Sequence, residues 1–213
     1  MNLYLATGNP HKAAELHTFF AKLLDRGTYS VHTAAEIGGM PPVVEDAGSF
    51  VGNATLKAKA LQAQVPLQGS VLADDSGLEV DALQGAPGVF SARYAGSSAT
   101  DNDNTAKLLN ELNGVPATAR TARFVCCLLL LTPEEKLVFT GFCRGRIASA
   151  AAGDKGFGYD PVFIPEGYTQ TLGQLGPNIK ERVSHRAQAF KQLAKWLSHQ
   201  MSNPPPTAHL KRA

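Results

Sequence analysis

The longest apolar run in the chain, Phe124 to Leu131, is eight residues. It falls well short of the ~20 residues that a membrane-spanning helix requires, and it has the length of an interior strand. Lys136 to Phe142 and Gly145 to Ala150 follow as two more strand candidates, the last two separated by little more than a turn, so the middle of the chain is β-rich. Cys126 and Cys127 are neighbours within the apolar run and send their side chains to opposite faces of it. With Cys143 they make an odd count, with no histidines at ligand spacing, which argues against a disulfide framework and against structural zinc. They read as buried thiols acting as small hydrophobes in a reducing, cytoplasmic compartment.

Helical spacing surrounds this β-rich middle. Asn2 to Ala6 predicts a short strand, and Asn9 with Pro10 behind it predicts a helix start whose apolar face is Ala13, Leu16, Phe20 and Leu23. Ser49 to Gln64 predicts a second helix, with Phe50, Ala54, Ala58 and Leu61 on one face. Val71 to Ala73 reads as a strand running into Asp74-Asp75-Ser76-Gly77, where a glycine turns the chain, and Glu79 to Leu83 as another short strand. Asn102 to Leu112 predicts a third helix, and Val183, Ala187, Phe190, Ala194 and Leu197 mark a C-terminal one. The expected fold class is α/β, a long mixed sheet flanked by helices. Residues 1–201 read as one domain, and 202–213, with three consecutive prolines, as a disordered tail.

Composition narrows the function. With 213 residues, 44% hydrophobic and 18% charged, the chain has ample material for a core and is not a disordered one. Twenty Lys and Arg against 18 Asp and Glu leave +2, too balanced for affinity resting on the backbone of a nucleic acid. Met1 to Leu5 lacks a basic region followed by an apolar core, so no secretory signal is expected.

Four segments carry polar residues that a purely structural chain has little use for. In Thr7-Gly8-Asn9-Pro10-His11-Lys12 a strand, a glycine turn and a helix N-terminus form either a plain connection or a phosphate cradle, since free amides and the helix dipole favour an anion. Asn53 and Lys57 lie one helical turn apart with Glu45 just before the helix, which reads as a solvated face with a capping acid or as a place for a metal and phosphate oxygens. Asp74 and Asp75 directly follow an apolar strand, a costly placement unless a cation or hydrogen bonds stabilise them, and one that suits Mg2+. In Gly156-Phe157-Gly158-Tyr159-Asp160-Pro161, glycines let a flat ring approach, and Phe157 or Tyr159 could stack on a base. Ser184 is a good helix cap, which sets His185 and Arg186 in a first turn near Lys180, whereas Lys191 and Lys195 read as solvated. Together the four describe a nucleoside triphosphate with magnesium.

These residues also carry a resemblance. Thr7-Gly8-Asn9-x-x-Lys12, Glu45, Ser49-Phe50-x-x-Asn53-Ala54-x-x-Lys57-Ala58, Ala73-Asp74-Asp75-Ser76-Gly77-Leu78, Pro87 to Gly96, Gly156 to Pro161 and Ser184-His185-Arg186 resemble the Ham1/RdgB family of inosine/xanthosine triphosphate pyrophosphatases. The matches run in order from residue 3 to about residue 197. Phe90 stands where tyrosine is frequent, Gln174 where glutamate is, and Ala47 at a usual glycine. The resemblance implies an elongated mixed α/β fold with a cleft between two lobes, a homodimer and a requirement for Mg2+. It implies that Thr7, Gly8, Asn9, Pro10, His11 and Lys12 hold the triphosphate, with Asn53 and Lys57 along the phosphates. Glu45 and Asp75 would hold the metal, Asp75 also acting as general base. Ser76, Phe157, Gly158, Tyr159, Asp160, Lys180, His185 and Arg186 would bind the substrate, the later ones mainly at its base.

The implied reaction splits the bond between the α and β phosphates of dITP, ITP, XTP or dXTP. Two other classes remain on residue grounds. A nucleotide-sensing module would bind without turnover, and a phosphatase of the haloacid dehalogenase type would use an Asp nucleophile. The second scheme wants Asp-x-Asp after the first strand, whereas the acids here are adjacent and follow Leu72.

Overall fold

A single long strand, β3 (Ser70–Val80), runs through the centre of the molecule and organises what surrounds it. The structure, a computed structural model, describes residues 1–23 and 29–202. At ~3.4 Å per residue, the eleven residues of β3 extend about 35 Å, enough to serve two cores in succession. Its first residues pair parallel with β1 (Asn2–Ala6), which pairs parallel with β2 (Ser30–Thr33). On its other edge β3 pairs antiparallel with β4 (Thr121–Leu131), and β4 with β5 (Lys136–Ile147), which ends against β6 (Phe163–Pro165). The order β2-β1-β3-β4-β5-β6 is a mixed six-stranded sheet.

Helices cover both faces. On one, α1 (Pro10–Leu23) and α6 (His185–Ser202) bury Leu16, Phe19, Phe20, Phe190, Leu193 and Leu197 against Leu72, Cys126 and Leu128. On the other, α2 (Phe50–Gln62) buries Ala54, Ala58 and Leu61 against Val71, Ala73, Cys127 and Leu129. Cys126 and Cys127 thus take opposite faces, as strand alternation requires. Further along, Leu78 and Val80 of β3 enter a third core with Phe124, Ile147 and Phe163, closed by α3 (Asp101–Glu111) and by α4 (Leu172–Leu175), with Val183 of α5 (Pro177–Val183) packed against it. The interval between the cores is Asp74, Asp75, Ser76 and Gly77.

That interval differs from the sequence expectation. The two acids do not end a strand, and Gly77 does not turn the chain: β3 continues through them to Val80, absorbing the separate strand predicted from Glu79. The ladder to β4 supplies the reason, for Asp75 faces Cys127 and Gly77 faces Val125 without a break in register. Gly77 is required for a close approach instead. A Cβ there would meet the carbonyl of Gly88, Ser91 Oγ at 2.6 Å and the Phe50 ring at 2.8 Å. Similarly, Lys136–Ile147 is one strand where two were predicted, because Cys143 and Gly145 stay paired to Phe124 and Ala122. The predicted disordered tail lies outside the described residues apart from Ser202, which closes α6.

Candidate active site

Period-two alternation has a decisive effect on the acid pair: Asp74 and Asp75 point to opposite faces of the sheet. Asp74 faces α1 and α6, where its carboxylate accepts from Lys12 Nζ at 2.5 Å, Arg186 Nε at 2.9 Å, Ser76 Oγ at 2.7 Å and Cys126 Sγ at 3.3 Å. Burial alone would raise its pKa, but Arg186 and Lys12 outweigh burial and hold the carboxyl well below the usual carboxylate range. Asp75 faces α2. Its Oδ1 accepts from Lys57 Nζ at 2.6 Å, and the same ammonium reaches Glu45 Oε2 at 3.2 Å. Asp75 Oδ2 is buried and has no partner among the described residues. Burial pushes this carboxyl up to about 6, against the pull of Lys57.

Local sequence explains how the cations arrive. Asn9 Oδ1 accepts from the backbone N–H of His11 at 2.9 Å and of Lys12 at 3.2 Å, so it caps α1 and sets Lys12 in the first turn over β3. Thr7 Oγ1 accepts from Asn9 N at 3.1 Å and fixes the entry to that turn. Ser49 caps α2 by accepting from Gly52 N at 3.1 Å. Asn53 and Lys57, one turn apart, are both buried, so the solvated-face reading of this pair is not what the fold uses. Asn53 Oδ1 is spent on Ala47 N at 3.1 Å, while its Nδ2 is buried without an acceptor. Lys191 and Lys195 are exposed, as their spacing suggested.

The other end of the site is built from α1, α5, α6 and the turn at Gly156–Asp160. Phe157 carries Lys180 Nζ 4.0 Å and Arg186 Cζ 6.0 Å from its ring centroid, and it stacks on His11 at 5.1 Å and 14°. His11 therefore lies on the aromatic ring at the end of the row that starts at Thr7, with no room for a third ring between the two. Tyr159 differs from the expectation: it is buried in the third core and its hydroxyl donates to Ser91 O at 2.9 Å, so Phe157 alone is placed to stack. Asp160 Oδ2 accepts from Lys180 Nζ at 2.5 Å and Phe157 N at 3.0 Å, and Gly158 N donates to Asp101 Oδ2 at 2.6 Å. A cavity of about 270 Å³ opens between α1 and α5, lined by Glu15, Phe19, Gly156, Leu172, Lys180 and Ser184 among others.

Sequence reasoning gave no role to Glu15. It accepts from Lys180 at 3.0 Å and pairs with Arg186 Nη1, linking the Phe157 end to the Asp74 side. The available signal was its spacing from Lys12 and Phe19, which puts all three on one helical face. Arg186 is buried, its donors shared among Asp74, Glu15 and Ser76. Ser184 Oγ accepts from Ala187 N at 3.1 Å, and Gly141 leaves space for this first turn of α6, since a Cβ there would strike the carbonyl of His185.

His185 is buried, stacked on Phe124 at 4.8 Å, with Nδ1 unpartnered. Burial, reinforced by Arg186, holds its pKa well below 6.5, so the folded ring is neutral at pH 7 and offers one donor rather than two. Below pH 6.5 the unfolded chain takes up a proton here that the folded one refuses. This contribution to stability is complete above that pH and is lost as the pH falls below it. Urea unfolding at about pH 7.5 and about pH 5.5 should show the stability difference between wild type and His185→Gln shrink at the lower pH by at most ~1.4 kcal/mol. A difference independent of pH would contradict a neutral buried ring.

The Ham1 family model matches residues 3–196. The chain belongs to the Ham1 family. It is 48% identical over 199 residues to a protein of Opitutus terrae named dITP/XTP pyrophosphatase, covering 92% of this chain and 98% of that one. A Bacillus subtilis protein with the same name is 43% identical over 194 residues, 91% of this chain and 95% of that one. Among solved structures, the Ham1 protein of Staphylococcus aureus superposes with a TM-score of 0.81 at 38% identity, covering 94% of this chain and all of that one. A HAM1 protein from Coxiella burnetii gives 0.83 at 36%, covering 93% and 99%. The six-stranded mixed sheet with its helices is thus the Ham1 fold.

Proposed function

We propose that this Ham1-family chain hydrolyses noncanonical purine nucleoside triphosphates, dITP and ITP, XTP and dXTP, to the monophosphate and pyrophosphate. The relatives' shared name gives the substrate class, and one observation carries the chemistry: a buried carboxylate oxygen without a partner, Asp75 Oδ2, in the seam between the cores. Asp75 takes a proton from a water that attacks the α-phosphorus. The P–O bond to the β-phosphate breaks, and the electron pair leaves with pyrophosphate. General-base catalysis of this kind contributes ~10²–10⁴-fold. Lys57, beside Asp75, and Lys12, at the start of α1, oppose the negative charge that builds on the leaving group. Thr7, Gly8, Asn9 and Pro10 form the turn that seats the phosphates.

A divalent cation fits the donor set. Glu45 and Asp75 lie within reach of one ammonium group, and their carboxylates are hard oxygen ligands. Among the described residues no group of three or more His, Cys, Asp or Glu could hold a metal, so the remaining ligands would be water and phosphate oxygens. Mg2+ held by Glu45 and Asp75 would supply charge neutralisation at the phosphates.

Selectivity falls to the base end. A purine that takes the place of His11 on Phe157 would reach Lys180 and Arg186 once they yield their present partners, with His185, Ser76, Gly158 and Asp160 as the further substrate contacts of this reading. The six-keto oxygen of hypoxanthine or xanthine accepts from such donors and the six-amino group of adenine cannot, while guanine, which shares the keto oxygen, has to be refused at its two-amino group. No helix among the described residues is long and apolar enough to cross a membrane. A cytoplasmic location and a homodimer belong to the same proposal, supported by free buried cysteines and by exposed Phe90 and Phe142.

The test is pyrophosphate release from dITP, XTP, GTP and ATP with Mg2+. The expected result is at least tenfold preference for the first two, on the order of 1.4 kcal/mol or more, and no turnover once a chelator removes the cation. Equal rates on GTP would overturn the selectivity, and orthophosphate as product would overturn the reaction.

A further inference from the structure

Asp75 is fixed by the sheet, but Glu45 rides on the long connection between residues 38 and 49, outside any helix or strand. Two carboxylates that share a cation must keep a constant separation, so something has to tie that connection to β3. The geometry points to Arg93, and we propose that it is the positioning residue for Glu45; this rests on the cation site proposed above.

Arg93 ends a turn of 3₁₀ helix, Gly88–Arg93, and its Nη2 donates to the backbone carbonyl of Glu45 at 2.7 Å. The guanidinium lies over the Phe90 ring, 5.2 Å from its centroid, which braces the side chain. The turn itself is seated on β3 at Gly77 and Leu78, just beyond Asp75. Ser91 Oγ accepts from Leu78 N at 2.8 Å and donates to Gly88 O at 2.6 Å, in the space that Gly77 leaves by having no side chain. A continuous path of short contacts therefore runs from Asp75 along β3, through Ser91 and Arg93, to Glu45.

The other ties on this connection are of a different kind. Asn53 holds Ala47 rather than Glu45, and Lys57 holds the Glu45 carboxylate itself while also serving Asp75. A cation would take over that carboxylate. The Arg93 bond goes to the main chain, so it leaves both carboxylate oxygens of Glu45 free for a metal.

The experiment compares wild type, Arg93→Ala and Arg93→Lys. Mn2+ binding is read by electron paramagnetic resonance in the presence of pyrophosphate, and dIMP binding by calorimetry. Arg93→Ala should weaken Mn2+ binding ~10-fold, at the low end for a residue that orients a metal ligand, with dIMP affinity within about twofold of wild type. Arg93→Lys should recover part of the Mn2+ affinity. Unchanged Mn2+ affinity in a folded Arg93→Ala protein, or equal loss of Mn2+ and dIMP, overturns the proposal while leaving the function intact. A wild-type protein that binds neither Mn2+ with pyrophosphate nor dIMP overturns both.

Discussion

Asp75→Asn is expected to lower the rate of pyrophosphate release from dITP by roughly 10³-fold, the middle of the range for loss of a general base. The amide keeps the shape of the carboxylate, and its Oδ1 can still accept from Lys57 Nζ. What it loses is the basic oxygen, Oδ2, that no protein group occupies. The melting temperature should therefore stay close to that of the wild type, with Glu45 left to balance the Lys57 charge. Steady-state rates and a thermal melt on the same preparation separate the two effects. A fall of less than tenfold would remove Asp75 from the chemistry.

Asp74→Ala is expected to do the reverse of a clean catalytic lesion. This carboxylate is wholly inaccessible, and Arg186, itself 1% exposed, is left with Glu15 as its acidic partner when Asp74 is removed. Breaking a buried pair by deleting one partner costs about 3–5 kcal/mol, because the remaining charge is stranded. For a chain of this size that corresponds to a drop in melting temperature on the order of 6–12 °C at the lower figure. Thermal or urea unfolding checks it, and a change within a degree or two would mean that Arg186 finds other acceptors. Neighbouring aspartates thus have different duties. One is the proposed base in the seam and the other is the hub of an ion network that holds α1, β3 and α6 together.

The sequence identified Asp74 and Asp75 as the unusual pair but not their division, because adjacency was read as a loop after a strand. Within a strand the same adjacency sends them to opposite faces, and only the unbroken register with β4 shows that the strand continues. Asn9 and Ser184 were legible as caps because capping depends on a few neighbouring residues, and each makes the expected bond, whereas Ser49, placed inside the predicted helix, proves to be the cap of α2. Tyr159 was not legible. Its glycine-flanked setting suits a stacking ring, and its burial follows from the position of Ser91, a residue 68 places away. Glu15 and Arg93 were missed for a related reason: each acts on a group far along the chain, Glu15 on Lys180 and Arg186, Arg93 on a carbonyl at Glu45. Phe19, absent from the predicted stripe of α1, is buried there against Phe190 of α6.

The ladder joining β3 to β4 has ten register pairs and passes straight through the interval between the cores. A hinge at that interval would have to break main-chain hydrogen bonds on a strand held from both sides along its first half, so the two ends of the molecule are coupled as by a stiff girder. Any opening that admits a nucleotide must then come from parts hung on the girder away from the tied Glu45 connection, such as the turn that bears Phe157. Catalytic geometry in such a frame is set when the chain folds, and ligand entry adjusts its outer fittings alone.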